Sequence, residues 1–138
     1  MRQDQHRFTV STQGKGLYEF TDGIAEWVAG TGIATGLLTL FCRHTSAGLL
    51  INENAAPAVQ RDLLRWFDVA APEGRHYEHD DEGPDDMPAH IRTLLTGSTL
   101  TIPVADGRPV LGTWQGVFLA EHRARPHERQ VVPHIIGD

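Results

Sequence analysis

The feature that most constrains the fold is a near-continuous apolar run, TGLLTLFC, from Thr35 to Cys42. The run is short for a helix and rich in residues that favour strands, so it predicts a fully buried β-strand. The chain is 138 residues long, and this length fits one domain that spans residues 1–138.

Alternating or apolar segments predict further strands on both sides of this run. They cover His6–Thr12, Leu17–Phe20, Ala47–Ile51, Thr99–Val104, Arg108–Leu111, Gln115–Glu121 and Gln130–Ile136. Asp106-Gly107 is a strong turn signal, so the strands on either side of it should form a hairpin.

Helical spacing of apolar residues predicts three helices, over Gly23–Ala29, Ala58–Val69 and Ala89–Leu95. Strands and helices are mixed along the chain without regular alternation. This order favours an α+β fold over a doubly wound sheet.

Composition excludes several functional classes. The formal net charge is −6 and no Lys/Arg-rich run is present, which argues against general nucleic-acid binding. No apolar run approaches membrane-spanning length and the polar N-terminus carries no apolar signal core, so we expect a cytoplasmic protein without a membrane partner. The single cysteine, Cys42, lies in an apolar run and should be a buried, inert thiol.

Two polar groups follow predicted strands in the first half of the chain. His44 and Ser46 come directly after the Thr35–Cys42 run, where a rigid strand end can project side chains into a site. Farther along, Asn52, Glu53 and Asn54 precede the second predicted helix, and Asp62 lies within it. Asn54 suits a helix cap, Glu53 could bind a ligand or face the positive helix end, and Asp62 should need a partner because it lies near the buried face.

The segment from Pro72 to Pro88 has few large apolar residues and predicts a long loop. Its imidazoles and carboxylates, together with the histidine that follows, could bind a divalent cation such as zinc, manganese or magnesium. They are His76, His79, Glu82, Asp85, Asp86 and His90. A solvated acidic loop is the alternative.

A fourth polar group follows the hairpin. Gly112 and Gly116 bracket Trp114 and Gln115, and glycines in these positions allow a close backbone approach or an unusual turn. Gln115 and Glu121 should share one face of the next strand, at its opposite ends. The alternative is a core tryptophan with polar residues at the edge.

Three strings resemble a known family in their sequence, order and spacing. HTSAGLLINENA (His44–Ala55), EGPDDMPAHI (Glu82–Ile91) and GTWQGVFLAE (Gly112–Glu121) are similar to the YjbQ-like family, and the resemblance extends from about His6 to Gly137. It implies a compact α+β domain with mixed or antiparallel sheets in a sandwich-like core, assembled as a homotrimer. It also implies a weak, secondary thiamine-phosphate synthase activity, in which a pyrimidine diphosphate joins a thiazole phosphate and pyrophosphate is released.

The resemblance also assigns site residues by position. It implies catalytic roles for His44, Glu82, Asp86, Gln115 and Glu121. It implies metal ligation by His44, His79 and His90, and ligand binding by Asn52, Glu53, Asp62 and Trp114.

The synthase reaction meets a physical difficulty in this sequence. Lys15 is the only lysine and no phosphate-cradling glycine loop is evident, so arginines would have to stabilise the leaving pyrophosphate. The synthase would act on a phosphorylated small-molecule substrate, and two alternatives to it therefore remain. One is a non-catalytic homotrimer that binds a small molecule or a metal, and the other is a metal-dependent hydrolase with Glu82 as base.

Overall fold

The structure, a computed structural model, describes residues 1–74 and 76–138. Three helices are present in this part of the chain: α1 (Thr21–Thr31), α2 (Pro57–Ala70) and α3 (Asp86–Thr96). The strands are β1 (Arg2–Gln5), β2 (Phe8–Thr12), β3 (Gly16–Glu19), β4 (Gly36–Cys42), β5 (Ala47–Glu53), β6 (Thr99–Ala105), β7 (Arg108–Pro109), β8 (Gln115–Glu121) and β9 (His127–Gly137).

The strands form two antiparallel sheets. The larger has the order β1-β9-β4-β6-β7, with β2 also paired to β9, and the smaller has the order β3-β8-β5. The predicted buried strand, β4, lies between β9 and β6. Since side chains alternate across a strand, Leu38, Leu40 and Cys42 share one face of β4, and all three are buried. They belong to the same core cluster as Leu49 and Leu119 of the smaller sheet, so the two sheets enclose the core.

The helices complete the domain, and α1 contacts both β7 of the larger sheet and β8 of the smaller one. Ile24 and Val28 of α1 enter the core between the sheets. The α3 helix packs against β5, and Phe67 of α2 lies edge-on to the ring of His122, which follows β8. The predicted α+β class, the three helices and the antiparallel form of the sheets are therefore confirmed.

One local feature matches the sequence prediction, and a second differs from it. The hairpin at Asp106-Gly107 forms as predicted, and both residues have the positive φ that this turn requires (51° and 73°). Helix α3 begins at Asp86 rather than Ala89. The helix can start there because Pro88 then lies in its first turn, where the missing N–H costs no hydrogen bond. This shift moves Asp86 out of the loop and places it one turn before His90.

Candidate metal centre

Three side chains converge where the long loop meets α3. One ligand atom from each of His79, Asp86 and His90 lies within 4.8 Å of the other two. Nε2 of His79 is 2.7 Å from Oδ2 of Asp86, and Nε2 of His90 is 3.2 Å from the same oxygen. Asp86 is buried, His90 is half-buried and His79 is exposed, so the group opens to solvent on the His79 side.

The local sequence explains this convergence. Asp86 and His90 are four residues apart on α3, so they lie on the same helix face. Gly83 has a φ of 101°, a left-handed conformation that favours glycine, and it turns the chain immediately before the helix. The turn brings the preceding loop, with His79, back over the start of α3.

The orientation of His90 is fixed by the backbone of the His44-Thr45-Ser46 segment. Nδ1 of His90 lies 2.8 Å from the carbonyl oxygen of Thr45. A carbonyl oxygen only accepts, so Nδ1 carries a proton. Nε2 faces Oδ2 of Asp86, which also only accepts, so this nitrogen donates to Asp86 and would offer its lone pair to a metal ion that displaces the proton. Metal-binding histidines are commonly held in this way, with the second ring nitrogen donating to a carbonyl or carboxylate.

Asp86 is held in place by Arg123. Nη1 of Arg123 donates to Oδ1 of Asp86 at 2.7 Å, and its Nε donates to Oδ2 of Asp85 at 3.0 Å. Its Nη2 donates to the carbonyl oxygen of Glu82 at 2.9 Å, and the N–H of Ala124 donates to Asp85 at 2.8 Å. The guanidinium thus fixes one oxygen of Asp86 and leaves Oδ2 for the two imidazoles.

The electrostatics of the cluster keep Asp86 ionised. Burial alone would raise the pKa of Asp86, but the hydrogen bond from His79 and the charges of His90 and Arg123 lower it. The same hydrogen bond raises the pKa of His79, against a smaller opposing effect of desolvation. The cluster therefore presents an ionised carboxylate and two imidazoles to an incoming cation.

The donor set fits a divalent transition metal. Two imidazole nitrogens and one carboxylate oxygen are ligands that zinc accepts, with bonds of about 2.0–2.2 Å that place ligand atoms roughly 3.3 Å apart in a tetrahedron. The observed separations of 2.7 and 3.2 Å require only a small displacement of His79. Three protein ligands would leave at least one coordination position open, as in catalytic zinc sites.

Glu82 is the remaining carboxylate beside the cluster. Its Oε2 lies 3.4 Å from Nε2 of His79, and its side chain is exposed. It could accept a proton from a water molecule on the open side of the site. The predicted site residues Glu82, Asp86, His79 and His90 are thus brought together.

His44 lies outside this group. Its Nε2 accepts a hydrogen bond from the backbone N–H of Gln130 at 2.8 Å, and a nitrogen used in this way is not free to bind a metal. Burial and the nearby charge of Arg129 lower its pKa. The segment contributes the Thr45 carbonyl to the cluster instead of the predicted histidine side chain.

Glu121 is part of a buried ion pair beneath the same segment. Its Oε1 accepts from Nε of Arg129 at 2.8 Å and from Oγ1 of Thr12 at 2.7 Å. Arg129 also donates to Oγ of Ser46 at 3.0 Å. Burial alone would raise the pKa of Glu121, but its hydrogen bonds from Arg129 and Thr12 lower it. Both charges are almost fully buried, so the geometry favours a structural role over the predicted catalytic one.

The other predicted ligand-binding residues lie at the far end of the smaller sheet. The β5–β8 register pairs Ala47 with Glu121 and Glu53 with Gln115, so Gln115 is a strand length from Glu121. Oε1 of Gln115 accepts from the N–H of Gly112 at 2.7 Å. Trp114 is 64% exposed, so it is not the core tryptophan that was the alternative.

The Asn52–Asp62 segment runs from the end of β5 into α2. Oε2 of Glu53 accepts from the N–H groups of Ala55 and Ala56 at 3.1 and 3.0 Å in the turn before this helix. The N-cap residue is Ala56 and no side chain caps the helix, so the prediction that Asn54 is the cap is wrong. Oδ1 of Asn52 accepts from the N–H of Glu53 at 2.7 Å. Asp62 is exposed and ion-paired with Arg65, so the prediction that it lies near the buried face is wrong.

Comparison with known proteins shows the family of this chain. The model of the family described as "UPF0047 protein YjbQ-like" matches residues 6–138. The chain belongs to the YjbQ-like family. A UPF0047 protein of Synechocystis is 53% identical over 138 residues, which cover 99% of this chain and 94% of the relative. The UPF0047 protein YjbQ of Salmonella typhimurium is 42% identical over 97% of this chain and 98% of its own.

Solved structures in this family share the fold. A hypothetical protein of Aeropyrum pernix is 29% identical with a TM-score of 0.90, over 98% of this chain and 99% of its own. A conserved hypothetical protein of Thermus thermophilus is 38% identical with a TM-score of 0.82, over 92% of this chain and 97% of its own. In the described part of the chain, no helix is long and apolar enough to cross a membrane.

Proposed function

We propose that His79, Asp86 and His90 bind a divalent metal ion and that the protein is a metal-dependent hydrolase. The observation that carries this proposal is that imidazole nitrogens of His79 and His90 converge on Oδ2 of the buried Asp86. Glu82 lies beside His79, on the solvent-exposed side of the cluster. A divalent ion held there would act as a Lewis acid that polarises the scissile bond and makes water more acidic.

The protein's own residues have separate tasks in this proposal. Thr45 and Arg123 orient His90 and Asp86 before any ligand arrives, so little reorganisation is needed on binding. Glu82 accepts the proton of the attacking water and returns it to the leaving group. Its exposed position beside His79 suits a base that must reach a substrate from solvent.

The thiamine-phosphate synthase activity is a less well supported proposal. It would require cationic side chains to stabilise a leaving pyrophosphate. Arg123, which contacts the cluster, already binds Asp85, Asp86 and the Glu82 carbonyl. A non-catalytic metal-binding protein would use the same three ligands, and turnover separates it from the hydrolase.

A homotrimer is consistent with one exposed surface. Leu37 and Phe41 of β4 and Ile136 of β9 lie on the outer face of the larger sheet, with 43%, 49% and 39% of their surfaces exposed. Apolar groups grouped in this way are common where subunits meet. Sedimentation equilibrium of the wild type and of Phe41→Glu would test whether this face mediates assembly.

The metal site is tested first by binding to metal-free protein. Titration calorimetry with Zn²⁺, Mn²⁺ and Mg²⁺ should show one site per chain, with zinc or manganese bound more tightly than magnesium because imidazoles suit them better. His90→Ala and Asp86→Asn should abolish this binding, whereas His134→Ala, which alters a β9 histidine, should not. No stoichiometric site, or equal binding by His90→Ala, would overturn the proposal.

Hydrolysis is tested with the metal-loaded protein and a panel of nitrophenyl esters and phosphate esters. Glu82→Gln should retain the metal and lose at least about 100-fold in rate, the usual contribution of a general base. Glu73→Gln is the matched control from the same loop, since Glu73 pairs with Lys15 away from the cluster. If the protein binds metal but hydrolyses none of the esters, it is better assigned as a non-catalytic metal-binding protein.

A further inference from the structure

Asp85 occupies the N-cap position of α3 without capping the helix. Its side chain makes no capping hydrogen bond, although an aspartate in this position commonly accepts one from a backbone N–H of the first turn. The carboxylate instead crosses to the segment that follows β8. Its Oδ2 accepts from Nε of Arg123 at 3.0 Å and from the backbone N–H of Ala124 at 2.8 Å. The carboxylate therefore serves a contact outside its own helix.

This contact lies in a largely buried part of the protein. The side chains of Asp85 and Arg123 are 12% and 14% exposed, so solvent and salt screen their ion pair much less than they would screen a surface pair. Gly83 leaves room for the carboxylate, because a Cβ there would lie 3.2 Å from Oδ1 of Asp85. Asp85 is not one of the three residues whose ligand atoms converge. Arg123 is thus held by a carboxylate that does not belong to the metal cluster.

Arg123 carries this constraint to the ligand Asp86. Its Nη1 donates to Oδ1 of Asp86 at 2.7 Å, while Oδ2 faces His79 and His90. With Oδ1 engaged in this way, Asp86 offers a cation one oxygen instead of two. A carboxylate can also bind a metal through both oxygens, and the second oxygen would then fill a coordination position that is otherwise open to a water molecule or a substrate.

We propose that Asp85 is a positioning residue that, through Arg123, keeps Asp86 a one-oxygen ligand of the metal. The proposal rests on the metal-dependent hydrolase function given above and concerns the geometry of that same site. Without the Asp85 carboxylate, the guanidinium would be restrained only by Asp86 itself and by the Glu82 carbonyl. It could then follow Asp86 as the carboxylate turns, and both oxygens of Asp86 would become available to the ion.

The test uses the intact protein loaded with Co²⁺, which can replace zinc in tetrahedral sites and whose visible spectrum reports its coordination number. The wild type should show the intense absorption of a four-coordinate ion. Asp85→Asn keeps the size of the side chain and removes its charge. It should weaken Co²⁺ binding by about 10–100-fold, the usual effect of losing a supporting partner, and shift the spectrum to the weaker bands of a higher coordination number.

Asp68→Asn is the matched control. Asp68 of α2 pairs with Arg92 of α3, so this variant also removes one negative charge and one aspartate–arginine contact of the same helix. Because Arg92 does not contact Asp86 in the described part of the chain, both the affinity for Co²⁺ and the spectrum should stay at the wild-type values. Changes in Asp68→Asn equal to those in Asp85→Asn would overturn the proposal, since they would reflect a general loosening of α3.

A double-mutant cycle shows whether Asp85 acts through Arg123. In an Arg123→Lys background, Asp85→Asn should have little further effect on Co²⁺ affinity, because the guanidinium that Asp85 orients is already absent. A loss of the same size in both backgrounds would overturn the proposal. If Asp85→Asn does not fold, Asp85→Glu takes its place, since it keeps the charge and displaces the guanidinium by one methylene. It should shift the spectrum in the same direction, and an unchanged spectrum would overturn the proposal.

The outcomes separate this inference from the function on which it rests. If Co²⁺ does not bind to the wild type, the metal site is wrong and the role of Asp85 falls with it. If Co²⁺ binds and Asp85→Asn has the affinity and spectrum of the wild type, only the role of Asp85 is overturned. If the spectrum shifts as expected and the metal-loaded wild type hydrolyses no ester, Asp85 positions the ligand of a metal-binding protein and the hydrolase function is wrong.

Discussion

Arg123 and Asp86 form a side-chain pair in which Nη1 of Arg123 donates to Oδ1 of Asp86 at 2.7 Å, while Oδ2 faces the two histidines. The pair joins two parts of the chain 37 residues apart. The same guanidinium is held by Asp85, and the backbone N–H of Arg123 donates to the buried Glu121. The position of Oδ2 of Asp86 is therefore set by contacts that connect it through Arg123 to the buried Glu121.

Arg123→Lys should weaken metal binding while leaving the three ligands in place. A lysine carries the charge but cannot donate to Asp85, Asp86 and the Glu82 carbonyl at once. Losing such a supporting partner typically costs about 10–100-fold in metal affinity. Competition with a chromophoric chelator would measure the change. Arg125→Lys, at an exposed position two residues on, is the control, and equal affinity in both variants would contradict the role of Arg123.

Glu121→Gln should destabilise the fold more than it alters the chemistry of the site. The substitution leaves the Arg129 guanidinium buried without its carboxylate, and breaking a buried pair in this way costs about 3–5 kcal/mol. Urea denaturation would measure the loss. If the free energy of unfolding is unchanged while turnover disappears, Glu121 is a catalytic residue after all.

A double variant separates the unpaired charge from the loss of packing. Glu121→Leu/Arg129→Met removes both charges and should recover part of the stability lost in Glu121→Gln, since apolar replacement of a buried pair is often tolerated. A double variant less stable than the single one would show that the network with Thr12 and Ser46 contributes more than the pair alone.

The fold could be predicted from sequence wherever one face of an element is apolar. The run that forms β4, the Asp106-Gly107 turn and the periodicity of α2 are local signals, and each is confirmed. Strand β1 (Arg2–Gln5) has no such signal because all four residues are exposed. It forms through pairing with β9, a partner more than 120 residues away.

The site was predictable in its residue types but not in its geometry. His79, Asp86 and His90 were all candidates, yet their convergence depends on α3 starting at Asp86, and helix boundaries are poorly specified by sequence. Arg123 had no local signal, because its partners are set by the tertiary contact between the end of β8 and α3. His44 follows a strand as a site residue would, but its ring faces the backbone of Gln130.

His122 should make the fold sensitive to mild acid. Burial, with a further contribution from the charge of Arg92, lowers the pKa of His122 to about 4 from 6.5. Between these values the unfolded chain binds a proton that the folded chain excludes, so stability is complete above pH 6.5 and falls as the pH decreases toward 4. The contribution is at most about 3 kcal/mol.

The measurement is the free energy of unfolding by urea at pH 7.5 and at pH 4.5, for the wild type and for His122→Gln. Glutamine can still bond to Oγ1 of Thr96, which lies 3.2 Å from Nε2 of His122, but it does not titrate. The variant should lose less stability than the wild type on acidification. Parallel losses in both proteins would mean that other groups cause the pH dependence.

Gly48 and Gly30 provide the last prediction, because alanine should have opposite effects at the two positions. A Cβ at Gly48 of β5 would clash with Oγ1 of Thr96 and lie 2.7 Å from the carbonyl oxygen of Gly97, whereas a Cβ at Gly30 meets nothing within 4 Å. Gly48→Ala should therefore cost about 1–3 kcal/mol through overpacking. Gly30→Ala should stabilise the exposed end of α1 by up to about 1 kcal/mol.

Gly48→Ala should also weaken metal binding at the His79–Asp86–His90 cluster. The Gly97 carbonyl accepts the N–H of Leu49 at 2.9 Å, which ties the end of α3 to β5 and so keeps His90 over the Thr45 carbonyl. A displaced α3 would lengthen the bond to His90, so Gly48→Ala should lower zinc affinity as well as the melting temperature. Gly30→Ala should leave zinc affinity unchanged. Lowered stability with unaltered zinc binding in Gly48→Ala would show that the His90–Thr45 contact does not depend on the packing of α3 against β5.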